Sequence, residues 1–165
     1  MAIIRQAKQD DLASLVDIYN QSVLQSTATF DLTPLSVEER KGWFATHQEP
    51  RFPLIVAERE EVVAGYASLS TYREKEAYKR TVELSIYVDE KQQGYGIGKQ
   101  LMTAILEHAK QLNYHVVIAG ITKGNDKSVK MHEQFGFTFC GEFKEVGYKF
   151  EQWQDVLFYQ LTFDN

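Results

Sequence analysis

The run Gln93-Gly94-Tyr95-Gly96-Ile97-Gly98 follows the apolar stretch Val82-Glu83-Leu84-Ser85-Ile86-Tyr87-Val88 and precedes a helical pattern beginning near Lys99. A glycine-rich turn between strand and helix points successive backbone N–H groups inward and lets an anion approach the main chain, aided by the positive end of the helix dipole. The G-x-G-x-G spacing, with no Lys-Ser/Thr after Gly98, departs from both the P-loop and the dinucleotide-binding turn. Glu83 stands just upstream in an otherwise apolar strand, with Ser85 and Tyr87 as its alternation partners. Burial there raises a carboxylate's pKa toward the range of a general base; an edge-exposed or ion-paired carboxylate is the alternative.

Gln93-x-x-Gly96-x-Gly98 resembles the Q/R-x-x-G-x-G/A signature of the GNAT N-acetyltransferases, whose loop holds the pyrophosphate of acetyl-CoA. A second block, from Asn125 to Phe137, resembles the superfamily's N-x-x-(small)-x-x-x-Y-x-x-x-G-F motif, with His132 where the general pattern has tyrosine. That departure, together with Ala77-Tyr78-Lys79-Arg80-Thr81-Val82-Glu83, Gly147-Tyr148-Lys149 and Trp153-Gln154-Asp155-Val156, is similar to the phosphinothricin and methionine sulfoximine N-acetyltransferase branch. The resemblance covers nearly the whole chain, weakly before Phe30 and strongly from Tyr78 to Val156.

The resemblance implies acetyl-CoA as co-substrate, held by Gln93, Gly94, Tyr95, Gly96, Ile97, Gly98 and Lys99, with Asn125 and Ser128 on the following helix. It implies an oxyanion site from the backbone of Ile86, Tyr87 and Val88, where the strand splays from its parallel neighbour. Glu83 takes the ammonium proton of the acceptor, and His132, with an ordinary pKa near 6.5, serves either the acceptor or the leaving thiol. Phe30, Arg73, Lys75 and Tyr78 match positions that line the amino-acid pocket. The branch commonly has arginine at position 75, and lysine lacks its bidentate fork. The implied reaction is direct acetyl transfer to the amine of a small amino acid or analogue in a ternary complex. Acetylation of a peptide, protein or polyamine amine, and a non-catalytic acyl-CoA sensor, are the alternatives.

At 165 residues and 44% hydrophobic composition the chain is long enough for one domain, 1–165, with a substantial core. A net charge of -5 argues against nucleic acid as a partner. The apolar runs are strand-sized and Met1-Ala2-Ile3-Ile4-Arg5 has no signal-peptide pattern, so the expectation is a cytoplasmic protein without membrane association. A single cysteine excludes an internal disulfide, and four scattered histidines form no zinc-binding spacing, so no metal is expected. Cys140, in an apolar strand pattern, is expected to be a buried inert thiol. Phe143, Tyr148, Phe150, Trp153, Phe158 and Tyr159 exceed what one sheet edge needs and point to a homodimer.

Periodicity predicts the order β-α-α-β-β-β-α-β-α-β-β, an α/β fold in which helices flank a mixed sheet; the resemblance adds that the sheet is mostly antiparallel, with a splayed parallel strand pair binding acetyl-CoA. Asp10 or Asp11 is expected to cap the first helix, and Ser36 with Glu39 forms a capping box for the second. A strand–turn–strand hairpin falls around Arg59-Glu60-Glu61. The third helix, Gly98 to Leu112, carries Leu101, Ile105, Leu106 and Ala109 on one face, and Gly136 ends the fourth in a left-handed C-cap.

Overall fold

A computed structural model describes residues 1–164. Short apolar runs, continuous in β2 and β3 where both faces are buried, build β1 (Ile3–Gln6), β2 (Leu54–Arg59), β3 (Val62–Thr71), β4 (Thr81–Val88), β5 (Val116–Thr122), β6 (Thr138–Lys149) and β7 (Gln152–Thr162). Stripes at helical spacing build α1 (Leu12–Gln25), α2 (Val37–Thr46), α3 (Ile97–Gln111) and α4 (Asp126–Gln134). The strands form one seven-stranded sheet in the order β1-β2-β3-β4-β5-β7-β6. Every adjacent pair is antiparallel except β4 and β5, because α3 carries the chain back to the starting end of the sheet between them.

Helix α3 buries Ile97, Leu101, Met102, Ile105, Leu106 and Ala109 against one sheet face, and Val129 and Met131 of α4 and its C-cap residue Phe135 join the same cluster. Each fully buried aliphatic side chain there stabilises the fold by about 1.5–3 kcal/mol. The opposite face is covered by α1, through Leu12, Leu15, Val16 and Ile18, and by Phe44 of α2. Ser36 and Glu39 cap α2 reciprocally, each N–H donating to the other's side chain at 3.1 Å. Asp11 behaves differently from the expected cap. Its carboxylate accepts from Arg5 at 2.8 Å and from Lys8 N–H at 2.7 Å, and a short 3-10 turn, Gln9–Asp11, leads into α1. A nearby arginine competes more strongly for the carboxylate than the helix N–H groups do.

The pairing of β4 with β5 ends at Glu83 opposite Ile118. Beyond that point β4 continues along β3 as far as Val88, and β5 along β7 as far as Thr122. The sheet therefore opens between two strands that are each secured on their other edge.

Candidate active site

Backbone direction along β4 follows from two hydrogen bonds. Asp89 N–H donates to Ala64 O at 2.8 Å, so odd-numbered residues of β4 turn their N–H and C=O toward β3. Arg80 O accepts from Val116 N–H at 3.2 Å, which places even-numbered residues on the β5 side. Ile86 and Val88 therefore direct their backbone groups into the opening, while Tyr87 gives its own to Tyr66. Of the three residues expected at an oxyanion site, Ile86 and Val88 turn their backbone groups to the opening and Tyr87 does not, since a strand's period of two admits no other division. Backbone groups left without a ladder partner are satisfied by a ligand that brings amides in an extended chain.

A cavity of about 690 Å³ runs from this opening to the glycine turn. Its walls are Ile86–Val88, Gln92–Gly94, Gly96–Lys99, Asn125, Ser128 and Met131, faced by Gln21, Ser22, Gln25, Ser26 and Ala28 from the end of α1. Gly94 and Gly96 have φ of +85° and +74°, in the left-handed region that other residues enter at about 1–2 kcal/mol. Gly96 is the N-cap of α3 and supplies no side chain, which leaves the first N–H groups of that helix open to an anion. Gly98 serves a different purpose: a Cβ there would lie 3.3 Å from Met131 Sδ, so its absence lets α4 pack close to the start of α3. Lys99, Lys127 and Lys130 add positive charge to these walls, and Lys127 Nζ donates to Gln93 Oε1 at 2.9 Å. Asn125 both lines the cavity and caps α4, its Oδ1 accepting from Ser128 N–H at 3.3 Å. Tyr95 is turned elsewhere, its ring beneath the guanidinium of Arg59 at 3.6 Å. The shape and the donors suit a pyrophosphate at the turn and an extended amide chain along β4, which is what acetyl-CoA presents.

A second recess of about 470 Å³ lies where β4, β5, β6 and β7 meet, lined by Tyr72, Arg73, Glu83, Ile118, Cys140, Phe143, Phe158, Tyr159 and Gln160. Glu83 is open to solvent at its rim and has no hydrogen-bond or ion-pair partner among the described residues. The surrounding protein still removes enough water to push its pKa up, and Arg73 opposes that shift. Of the acceptor residues suggested by the sequence, Arg73 lines the recess. Tyr78 reaches it through Tyr72, whose ring it meets edge-on at 5.5 Å. Lys75 precedes a short exposed turn and borders neither cavity, and Phe30 packs on Gly147 outside both. Phe143, Phe158 and Gln160 come from strands distant in sequence, with no local pattern to mark them. Cys140 is exposed, not buried: it is the extra residue where the β6–β7 register slips between Phe139 and Gly141, and its Sγ donates to Gln160 Oε1 at 3.2 Å.

His132 is 6% exposed beneath α4, its ring against Phe137 at 5.0 Å. The Ser128 carbonyl lies 2.7 Å from Nδ1, which assigns the proton to that nitrogen and leaves Nε2 as an acceptor. Burial lowers its pKa, so the ring is neutral near pH 7. It borders neither cavity, although Ser128 and Met131 of the same helix do. No group of three or more His, Cys, Asp or Glu among the described residues is arranged to hold a metal ion.

The chain belongs to the GNAT acetyltransferase family, whose domain matches residues 4–158. It is an N-acetyltransferase that uses acetyl-CoA as co-substrate. Among its relatives is the L-methionine sulfoximine/L-methionine sulfone acetyltransferase of Pseudomonas aeruginosa, 39% identical over 99% of this chain and 95% of that protein. A phosphinothricin acetyltransferase from Sinorhizobium meliloti, solved in complex with acetyl-CoA, is 36% identical with a TM-score of 0.94 over 98% of this chain and 88% of that one. A ribosomal-protein-alanine N-acetyltransferase from Brucella melitensis is 40% identical, with a TM-score of 0.95 over 98% of this chain and 99% of that one.

Proposed function

We propose that this enzyme, as one catalytic domain spanning 1–165, acetylates the α-amine of a small amino acid or analogue of the methionine sulfoximine and phosphinothricin kind. The observation that carries the reading is the recess in which an unpaired carboxylate, Glu83, and a cation, Arg73, stand together beside the opening of the sheet. An amino acid brings an ammonium group for the first and a carboxylate for the second. The names of two relatives, at 39% and 36% identity, agree with this choice.

Acetyl-CoA supplies the activated acetyl group when bound along the opening. Glu83 and Ile86 are three residues apart on β4, about 10 Å at the rise of a strand. That span exceeds direct contact and fits an amine plus one water, so Glu83 receives the ammonium proton through a water relay. The N–H groups of Ile86 and Val88 stabilise the charge that develops on the attacked carbonyl oxygen. His132 is neutral and borders neither cavity, so its place in this reading is to position α4 and its cavity-lining residues Ser128 and Met131, with no direct proton exchange with acceptor or thiol.

The Brucella relative's name favours a second reading, the N-terminal alanine of a protein. Release of free thiol from acetyl-CoA, followed across methionine sulfoximine, methionine sulfone, phosphinothricin, the common amino acids, polyamines and alanine-initiated peptides, separates them. Turnover on the amino acids is expected. Turnover confined to peptides or polyamines overturns the acceptor, and none on any amine favours an acyl-CoA sensor.

We also propose a homodimer in the cytoplasm, where acetyl-CoA is available. Phe143, Tyr148, Phe150 and Trp153 are 60%, 54%, 50% and 64% exposed on the β6–β7 hairpin, supporting a partner there. Phe158 is half-buried and Tyr159 is 5% exposed, so these two take no part, whereas Phe143, also a wall of the recess, keeps most of its ring outside it. Among the described residues no helix is long and apolar enough to cross a membrane. Sedimentation at micromolar concentration tests the assembly, and a monomer overturns it.

A further inference from the structure

Residues 26–31 leave the end of α1 as a strap, and three successive carbonyls in it are held by side chains from three strands. Thr122 Oγ1, buried at the end of β5, donates to Thr27 O at 2.7 Å. The Tyr87 hydroxyl, near the end of β4, reaches Ala28 O at 3.5 Å. Lys149 Nζ, at the end of β6, donates to Thr29 O at 2.8 Å and to Ser22 O in the last turn of α1 at 3.3 Å.

Tyr87 and Thr122 stand on opposite banks of the opening between β4 and β5, so the strap spans its mouth. Alternation puts Tyr87 on the same sheet face as Glu83, and Thr122 on the same face as Ile118, a wall of the acceptor recess. The strap is also a wall of the cofactor cavity through Ser26 and Ala28. Lys149 is 3% exposed, has no ion-pair partner among the described residues, and its pKa is lowered by burial. A buried ammonium held by carbonyls destabilises a fold relative to an apolar residue of similar size, so its presence here calls for a role beyond packing. Its neighbour along the strand, Gly147, carries no Cβ; one built there would lie 2.4 Å from the Phe30 ring, so β6 seats the strap at two adjoining points.

We propose that Thr122 and Lys149 are positioning residues for acetyl transfer: they fix the strap across the opening and so set the passage by which an amine in the Glu83 recess meets the acetyl group at Ile86 and Val88. The inference rests on the acceptor recess described above, but not on which amine fills it.

Thr122→Val removes the donor at nearly constant volume, Thr122→Ser restores it, and Lys149→Met removes the charge from a chain of similar length. Each variant is followed by hydrogen exchange at residues 27–31 and by steady-state kinetics with the amine that the wild type acetylates best. Thr122→Val and Lys149→Met should speed exchange in the strap and raise the acceptor KM roughly tenfold. The acetyl-CoA KM should move less than about threefold, since the glycine turn and α4 supply most of that cavity's wall and its lysines, and the strap only Ser26 and Ala28. Thr122→Ser should return both readouts to wild-type values. Unchanged exchange, or a loss of kcat with both KM values unmoved, which is the mark of a smaller folded fraction, overturns the proposal. Should Lys149→Met fail to fold, the Thr122 pair decides it. A wild type that acetylates only peptides or polyamines refutes the amino-acid reading, and the same variants then judge the strap with that amine.

Discussion

Replacing Glu83 by glutamine separates catalysis from folding in this protein, because the carboxylate has no hydrogen-bond or ion-pair partner among the described residues and stands at the rim of a recess. No donor is orphaned by the change and no volume is lost, so unfolding free energy should stay within about 0.5 kcal/mol of wild type. Removal of a general base lowers the rate by about 10²–10⁴-fold. The α-amino group of a free amino acid, whose carboxylate holds its pKa about one unit above the roughly 8 of a chain terminus, is about 1% neutral at pH 7 and about half neutral at pH 9, so the variant, which uses only the neutral amine, should gain about fiftyfold over that range. The wild type should rise less, since Glu83 already removes the proton near neutrality. Its own activity should fall in acid, where the raised pKa of Glu83 makes it protonate earlier than an ordinary carboxyl. Thiol release from pH 6 to 9, urea unfolding and acetyl-CoA titration on both proteins make the comparison. Equal activity across that range, or a lost rate accompanied by several kcal/mol of lost stability, refutes a base at this position.

Gly96→Ala places a side chain in the left-handed region, with nothing within 4 Å for the added Cβ to meet, so the backbone alone suffers. A stability loss of about 1–2 kcal/mol and a several-fold rise in acetyl-CoA KM, with acceptor KM unmoved, are expected from unfolding curves and kinetics. Arg73→Gln should raise KM about tenfold for an amino acid and little for its carboxamide, and an equal rise for both would remove Arg73 from carboxylate binding. His132→Asn keeps a donor for the Ser128 carbonyl and removes the titration. Because burial lowers the folded-state pKa of His132 below the ordinary 6.5, the unfolded chain binds the proton first, and stability present above pH 6.5 is lost as pH falls through and below that value. The variant should lose stability less steeply between pH 6.5 and 5, with His47, also lowered by burial, left to account for the remaining slope; an unchanged slope refutes the assignment.

Much of the fold was legible because its signals are local. The strands appear as short apolar runs bounded by turns and the buried stripe of α3 as a period of 3.6, the Ser36–Glu39 box is read over four residues, and Gly136 has the positive φ, +93°, that a C-cap requires. The glycine turn was equally plain, since an anion site made from consecutive amides is contained in one segment. Its internal division was not: Gly94 and Gly96 supply backbone conformation, whereas Gly98 supplies room for Met131, a residue of another helix.

Local order thus determined the order of elements, the cofactor turn and the identity of Glu83. Tertiary structure decided which of their neighbours face the two cavities. Pairing with β3 withdrew the Tyr87 backbone from the opening, and the slip in β6 exposed Cys140. Packing turned Tyr95 onto Arg59 and left Phe30 and Lys75 outside the recess, which β6 and β7 wall instead. The physical reason is range: turn chemistry and periodicity depend on residues a few positions apart, while the recess is assembled by the successive registers of β4 on β5, β5 on β7 and β7 on β6, which bring Glu83 beside Ile118, Phe158 and Phe143, where side-chain type records nothing of the partner opposite.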